Sequence, residues 1–185
     1  MILQRNRRMA LNGFVRQIIR AAALDVSFYE GAADERAVEQ RTTLARAMLV
    51  VVLSALAAGL GIWGRLGPVG MMWFALIELA GWFAWAVLMF LIATKLLPRP
   101  GMSVNIGAFL MMAGFASAPG LIRILGLIPR SELILFFVAL VWMLMAAIVA
   151  VKAVFQYTGI WQAVAVVVIA WVIVRIAQRL LFALV

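Results

Sequence analysis

Gly114-Phe115-Ala116-Ser117-Ala118-Pro119-Gly120-Leu121-Ile122-Arg123-Ile124-Leu125-Gly126-Leu127-Ile128-Pro129 is apolar enough to lie in lipid, yet it carries a Pro-Gly pair and a full positive charge. Pro119 has no N–H to donate and its ring crowds the carbonyl of Phe115, so a helix running through it must bend or partly open. Ser117, Gly120, Ala116 and Ala118 make such a break tolerable, because small residues let a neighbouring helix approach and a hydroxyl can take up a freed carbonyl. Arg123 follows one turn later. An arginine at the centre of a bilayer costs about 2.5–3.5 kcal/mol on insertion scales, and such residues face the protein interior or snorkel to the headgroups.

Around this stretch the composition is that of an integral membrane protein. Hydrophobic residues make up 68% of the chain and charged ones 12%, against roughly half and a quarter in soluble domains. Histidine and cysteine are both absent. Zinc sites, the usual haem ligands, thiol nucleophiles and the commonest general base go with them, so no cofactor or metal is expected. The net charge of +9 does not point to nucleic acid. Much of it flanks apolar segments, where the positive-inside bias and anionic lipid account for it.

Residues 1–43 hold seven of the sixteen basic residues and five of the seven acidic ones, and form an N-terminal cytoplasmic or interfacial segment. No continuous apolar run follows Arg5, Arg7 and Arg8 within the first thirty residues, so a cleavable signal is not expected. From Asn12, a candidate cap, to Leu24, the residues Phe14, Val15, Ile18, Ile19 and Ala22 recur at helical spacing with Arg16, Gln17 and Arg20 on another face. Two readings stand: a basic amphipathic helix on an anionic bilayer, or a helix packed on the membrane domain. Asp25 ends the pattern, and the acidic, Arg-rich run to Gln40 reads as a solvated surface.

The fold class expected from the remainder is all-α, a bundle of five transmembrane helices over residues 44–185, with spans at about 44–64, 69–97, 106–128, 132–155 and 160–182. Ala55 to Gly59 and Ala57 to Gly61 have the small-xxx-small spacing of close helix contacts, either within the chain or in self-association. Gly67-Pro68 is expected to turn the chain between the first two spans, and Pro98, Arg99, Pro100 and Gly101 between the second and third. Trp63, Trp161 and Trp171 read as interfacial anchors, and Trp73, Trp82, Trp85 and Trp142 as packing or lipid-facing residues.

Counting basic residues at the span ends orients the bundle. With the N-terminus inside, the leader, Arg46, Lys95, Arg99 and Lys152 place eleven on the inner side, and Arg65, Arg123, Arg130, Arg175 and Arg179 place five outside. Arg16, Arg20, Lys95, Arg99 and Lys152 are then the membrane-surface basic residues, with anionic lipid as their partner. Arg175 and Arg179 fall late in the last span on the other side. Either they snorkel outward, or the span ends near Val174 and continues along the interface.

Glu78 is the only acidic residue well inside a span, and its nominated partner is Arg123. Measured from the outer ends of their spans the two differ by roughly 6–8 Å in depth, within reach of two long side chains. They form a structural pair that sets helix register, or a pathway for protons or solute, or they act apart, with Arg123 on lipid phosphate and Glu78 neutral. The break at Ser117, Pro119 and Gly120 admits a binding cavity, as in transporters with discontinuous helices, or a packing kink. No matching interruption occurs in the fourth or fifth span.

These residues, with Val141-Trp142-Met143 and with Ala153-Val154-Phe155-Gln156-Tyr157-Thr158 before an apolar span, resemble the bacterial branch of the Yip family, relatives of the eukaryotic Ypt/Rab-interacting membrane proteins. The resemblance covers roughly residues 25–180 and implies five spans with a cytoplasmic N-terminus. Eukaryotic members bind Rab GTPases in trafficking. The Asp-Leu-Tyr-Gly-Pro motif of those members is absent, so that role is not carried over.

The expected function is therefore non-enzymatic, through protein or lipid contacts in a bacterial cytoplasmic membrane. The alternatives are an accessory subunit of a larger, energy-transducing membrane complex, and a small transporter or channel using Glu78 and Arg123. Catalysis has little to work with: Ser117 has no histidine and Glu78 no second acid nearby in sequence.

Overall fold

The computed structural model describes residues 2–31, 37–99 and 104–184. Pro100, Gly101 and the acidic stretch 32–36 lie outside the described residues, as do the side chains of Arg5, Arg7 and Arg8. Helices α1 (Ile2–Ala22) and α2 (Val26–Gly31) precede α3 (Ala37–Gly61) and α4 (Trp63–Leu91), which ends in a π turn over Ile92–Leu96. Then come α5 (Ile106–Phe115), a 3-10 helix over Ala118–Leu127, α6 (Glu132–Val154) and α7 (Ile160–Leu184). Among the described residues five helical segments are long and apolar enough to cross a membrane, and the chain is an all-α, multi-pass membrane protein.

Several boundaries differ from the sequence expectation. Helix α1 starts at Ile2, so Asn12 lies inside it and caps nothing. The reversal between the first two spans falls at Ile62, whose N–H donates to the Gly59 carbonyl at 3.2 Å, and not at Gly67-Pro68. Gly67 instead kinks α4, with φ 65° and ψ −175°. Glycine takes that conformation without strain, and Pro68 then restarts the helix where a missing N–H does no harm.

The leader packs on the bundle. Ala21 and Tyr29 are fully buried, with Phe14, Ile18 and Ala22 against the same core. Phe28 meets the Phe115 ring edge-on at 5.2 Å, the Trp142 indole N–H donates to the Ala22 carbonyl at 2.8 Å, and the Tyr29 hydroxyl donates to the Ala21 carbonyl at 3.2 Å. Burial pushes that phenol well above its ordinary pKa. Arg16, beside the exposed Val15 and Ile19, points away from the protein, whereas Arg20 turns inward to Asp25 at 2.6 Å and Ser27 at 2.9 Å. Lys95, Arg99 and Lys152 are exposed at the leader side of the bundle.

That side is closed by an aromatic cluster of Phe90, Phe109, Phe155 and Tyr157, and the Tyr157 hydroxyl donates to the Leu97 carbonyl at 2.9 Å. On the opposite side Arg65 and Glu132 tie the starts of α4 and α6 at 2.6 Å. The small-residue faces of α3 are used within the chain. A Cβ on Gly59 would stand 2.7 Å from the Met71 carbonyl of α4, and one on Gly61 would collide with the Arg123 carbonyl. Gly126 in turn lies on Gly61, where a Cβ would meet the backbone oxygen at 2.7 Å. Backbone cannot step aside as a flexible side chain can. Gly126→Ala is therefore expected to lower stability by about 1–3 kcal/mol, read as a drop in detergent melting temperature, while Gly13→Ala, in the interior of α1 with open space around it, leaves that temperature level or raises it.

The leader turn has a pH signature. Hydrogen bonds from Arg20, then Ser27, hold the Asp25 carboxyl far below the ordinary carboxylate range. Because the folded value lies below the unfolded one, its contribution is complete above about pH 4 and disappears only as pH falls through the depressed folded value. Hydrogen-exchange protection of residues 20–29, corrected for intrinsic rates, should stay level from neutral pH down to about 5, and Asp25→Asn should lower it throughout.

Candidate functional site

Pro119 sits in the first turn of the 3-10 helix and cannot donate to Phe115, so the α ladder of α5 stops there. The Ser117 N–H turns to the Gly114 carbonyl at 3.1 Å and the Gly120 N–H to Ser117 at 2.9 Å, bonds of the tighter 3-10 winding. This is more than the kink expected from the sequence: the helix changes type for ten residues. At three residues per turn, positions three apart share one face. Gly120, Arg123 and Gly126 are all buried on that face, and they place Arg123 against α3.

Arg123 is only 6% exposed and almost fully partnered. Its Nε donates to the Gly120 carbonyl at 3.1 Å, Nη1 to Glu78 Oε2 at 2.8 Å, and Nη2 to the Ser54 carbonyl at 3.1 Å and the Ser54 hydroxyl at 2.8 Å. The guanidinium also lies 5.6 Å from the Phe136 ring centre. Four elements, α3, α4, the 3-10 helix and α6, converge on one side chain. Ser54 was not singled out from the sequence, since a lone serine among alanines reads as a packing residue. A side chain on Gly120 would overlap its hydroxyl, so that glycine is the space in which serine and arginine meet.

Arg175 of α7 joins from the other side. Helix α7 runs unbroken through Arg175 to Leu184. Arg175 Nη1 stands 3.9 Å from Glu78 Oε1, an ion pair too long for a hydrogen bond, and donates to Gln178 Oε1 at 3.2 Å. Its guanidinium is 5.8 Å from the Trp171 ring centre. Arg179 is exposed and takes no part in these contacts. A polar stripe at 171, 175 and 178 on one helical face was the available signal for Arg175 and Gln178. It loses force because the same pattern suits side chains that snorkel.

Between α4, α6 and α7 lies a cavity of about 330 Å³, walled by Trp82, Trp85, Phe136, Leu140 and Trp171 with Glu78, Arg123, Arg175 and Gln178 at its polar end. Helices α6 and α7 close on each other near their connecting loop, where Ala146, Ala147, Ala150, Ala163 and Val166 are buried. The cavity occupies the opposite, divergent end. Phe137, 67% exposed, and Arg175, with its side chain 43% exposed, mark the mouth. Trp171 is thus a wall residue and not an interfacial anchor, while Trp161, 79% exposed, suits the anchor role.

No family model, curated protein or solved structure matches this chain.

Chemically, the arrangement can hold charge. Among the described residues no three carboxylate, His or Cys groups come together to hold a metal ion, and the Ser117 hydroxyl is buried without a hydrogen-bond partner. Two cations face one carboxylate. Removing one member of a buried pair costs about 3–5 kcal/mol, whereas replacing both by apolar residues is nearly neutral. Glu78→Gln and Arg123→Met are each expected to lower the detergent melting temperature by more than the double mutant does, and additive losses would show that the two groups act separately.

Proposed function

We propose that this chain is a non-enzymatic, multi-pass membrane protein of the Yip type that acts by holding a membrane amphiphile between α4, α6 and α7. Its seat is a bacterial cytoplasmic membrane, with the leader inside and the C-terminus on the opposite side, as the excess of basic residues on the leader side favours. The observation that carries the reading is the cavity itself. It is at the lower end of the size of small-molecule sites, its wall is aromatic and aliphatic, and its few polar groups gather at one end. Its mouth opens between two helices whose flanking residues, Leu133, Ile134 and Ile176, are exposed and apolar, as a lipid-facing surface requires.

Conduction is the weaker use of the same residues. A pathway needs polar groups in series across the bundle, whereas Arg123 is locked by four hydrogen bonds and the leader side is closed by packed aromatic rings. The glycine faces that suggested self-association are occupied within the chain.

Native mass spectrometry of protein extracted in mild detergent checks the reading. The wild type should retain a bound amphiphile, and Leu140→Trp, which fills the cavity, should retain it at least tenfold less with the melting temperature preserved. Equal retention by both proteins, or none by the wild type, would overturn the proposal. A stoichiometric protein partner in place of lipid would favour the accessory-subunit alternative.

A further inference from the structure

The two arginines at the cavity are not equivalent. Arg123 spends its donors on Gly120, Ser54 and Glu78, so its charge is matched and its position fixed. Arg175 has five N–H donors, like any arginine, and gives one to Gln178 Oε1. Its distance of 3.9 Å from Glu78 leaves the carboxylate outside hydrogen-bond range. Glu78 therefore neutralises Arg123 and leaves the cluster one positive charge in excess, carried by the guanidinium at the mouth.

The wall beside that charge is aromatic. Trp82 and Trp171 stand in it, and the indole N–H of each is buried in the protein, closed off from the cavity. Trp82 as a residue is only 7% exposed. An unspent guanidinium at the mouth and a net charge of one sign make a site for an oxyanion. The mouth faces lipid, so the oxyanion arrives on an acyl chain rather than free in water. A volume of about 330 Å³ holds a head group and the first part of a chain, not a whole two-chain lipid.

We infer that the cavity selects an anionic lipid, seating one phosphate or carboxylate oxygen on Arg175 while the chain leaves past Phe137 between α6 and α7. This rests on the reading that the cavity holds an amphiphile and adds the charge of its head. Glu78 supports selectivity in both directions. It stops Arg123 from competing for the head group, and it repels an anion that goes deeper than Arg175.

The test uses the full chain in detergent, titrated with phosphatidylglycerol and with phosphatidylcholine of identical acyl chains, and read by native mass spectrometry and by tryptophan fluorescence. Wild type should bind the anionic lipid roughly ten- to a hundredfold more tightly, the range for a hydrogen bond to a charged group. Arg175→Gln should lose that preference while still binding phosphatidylcholine, and Arg175→Lys should recover part of it. Inorganic phosphate, lacking a chain, should not displace bound lipid. Binding of both lipids equally by the wild type would overturn this inference and leave the amphiphile reading standing. Binding of neither would overturn both. Displacement by inorganic phosphate, or an unchanged preference in a folded Arg175→Gln protein, would also overturn the assignment, because the head group would then be held elsewhere or without its chain.

Discussion

Burying a guanidinium in an apolar bundle imposes a condition on everything near it: each N–H must find an acceptor at a fixed angle, because lipid offers none. In this protein four of the five N–H groups meet it through residues from separate helices, the Ser54 hydroxyl and carbonyl, the Glu78 carboxylate and the Gly120 carbonyl. The planar fork of Arg123 thereby acts as a jig for α3, α4 and the 3-10 helix. It also explains the glycines. Gly61, Gly120 and Gly126 lie where the backbone of one element touches the next, and larger residues there would separate the donors from the acceptors. Packing and hydrogen bonding are one constraint here, read from two sides.

What the residues disclose in advance follows from how local the controlling physics is. Five spans are legible because length and apolarity are properties of contiguous sequence, and α6 and α7 begin at Glu132 and Ile160 as read. The meeting of Glu78 and Arg123 is also legible, since charge in lipid has few solutions and depth can be estimated from helical rise. The change to 3-10 winding is harder. Its trace is the spacing of Gly120, Arg123 and Gly126 by threes, a pattern that α-helical thinking divides between two faces. The reversal at Ile62 escapes because Gly67-Pro68 is the stronger local breaker, and only tertiary contact at Gly59 and Gly61 places the turn earlier.

The site shows the same division. Ser54 of α3 meets Arg123, Arg175 of α7 meets Glu78 and Gln178 meets Arg175; nothing in its own neighbourhood marks Ser54, and the stripe that carries Arg175 and Gln178 reads equally as snorkelling side chains. Asymmetry between the two arginines is a tertiary property. Arg123 is held at 8% side-chain exposure and Arg175 at 43%, so one residue type serves as a rigid strut and as an accessible charge within a single cluster. Glu78 touches both, which makes it the point at which the stability of the bundle and the character of the cavity meet.

The segment Ile106–Leu127 is the least hydropathic of the five spans and the most buried. A helix of that kind gains little by dissolving in lipid alone, and its arginine and proline make a solitary passage worse. Chain order resolves the difficulty. Ser54 and Glu78 both precede Arg123, so as the polypeptide emerges N-terminus first, the acceptors are already in the bilayer when the charge arrives. The third span can be received by α3 and α4 as a partner and not released into lipid, while α6 and α7 follow to wall off the finished cluster. Biogenesis and architecture thus share a direction: the vectorial order of synthesis is also the order in which the buried charge can be satisfied.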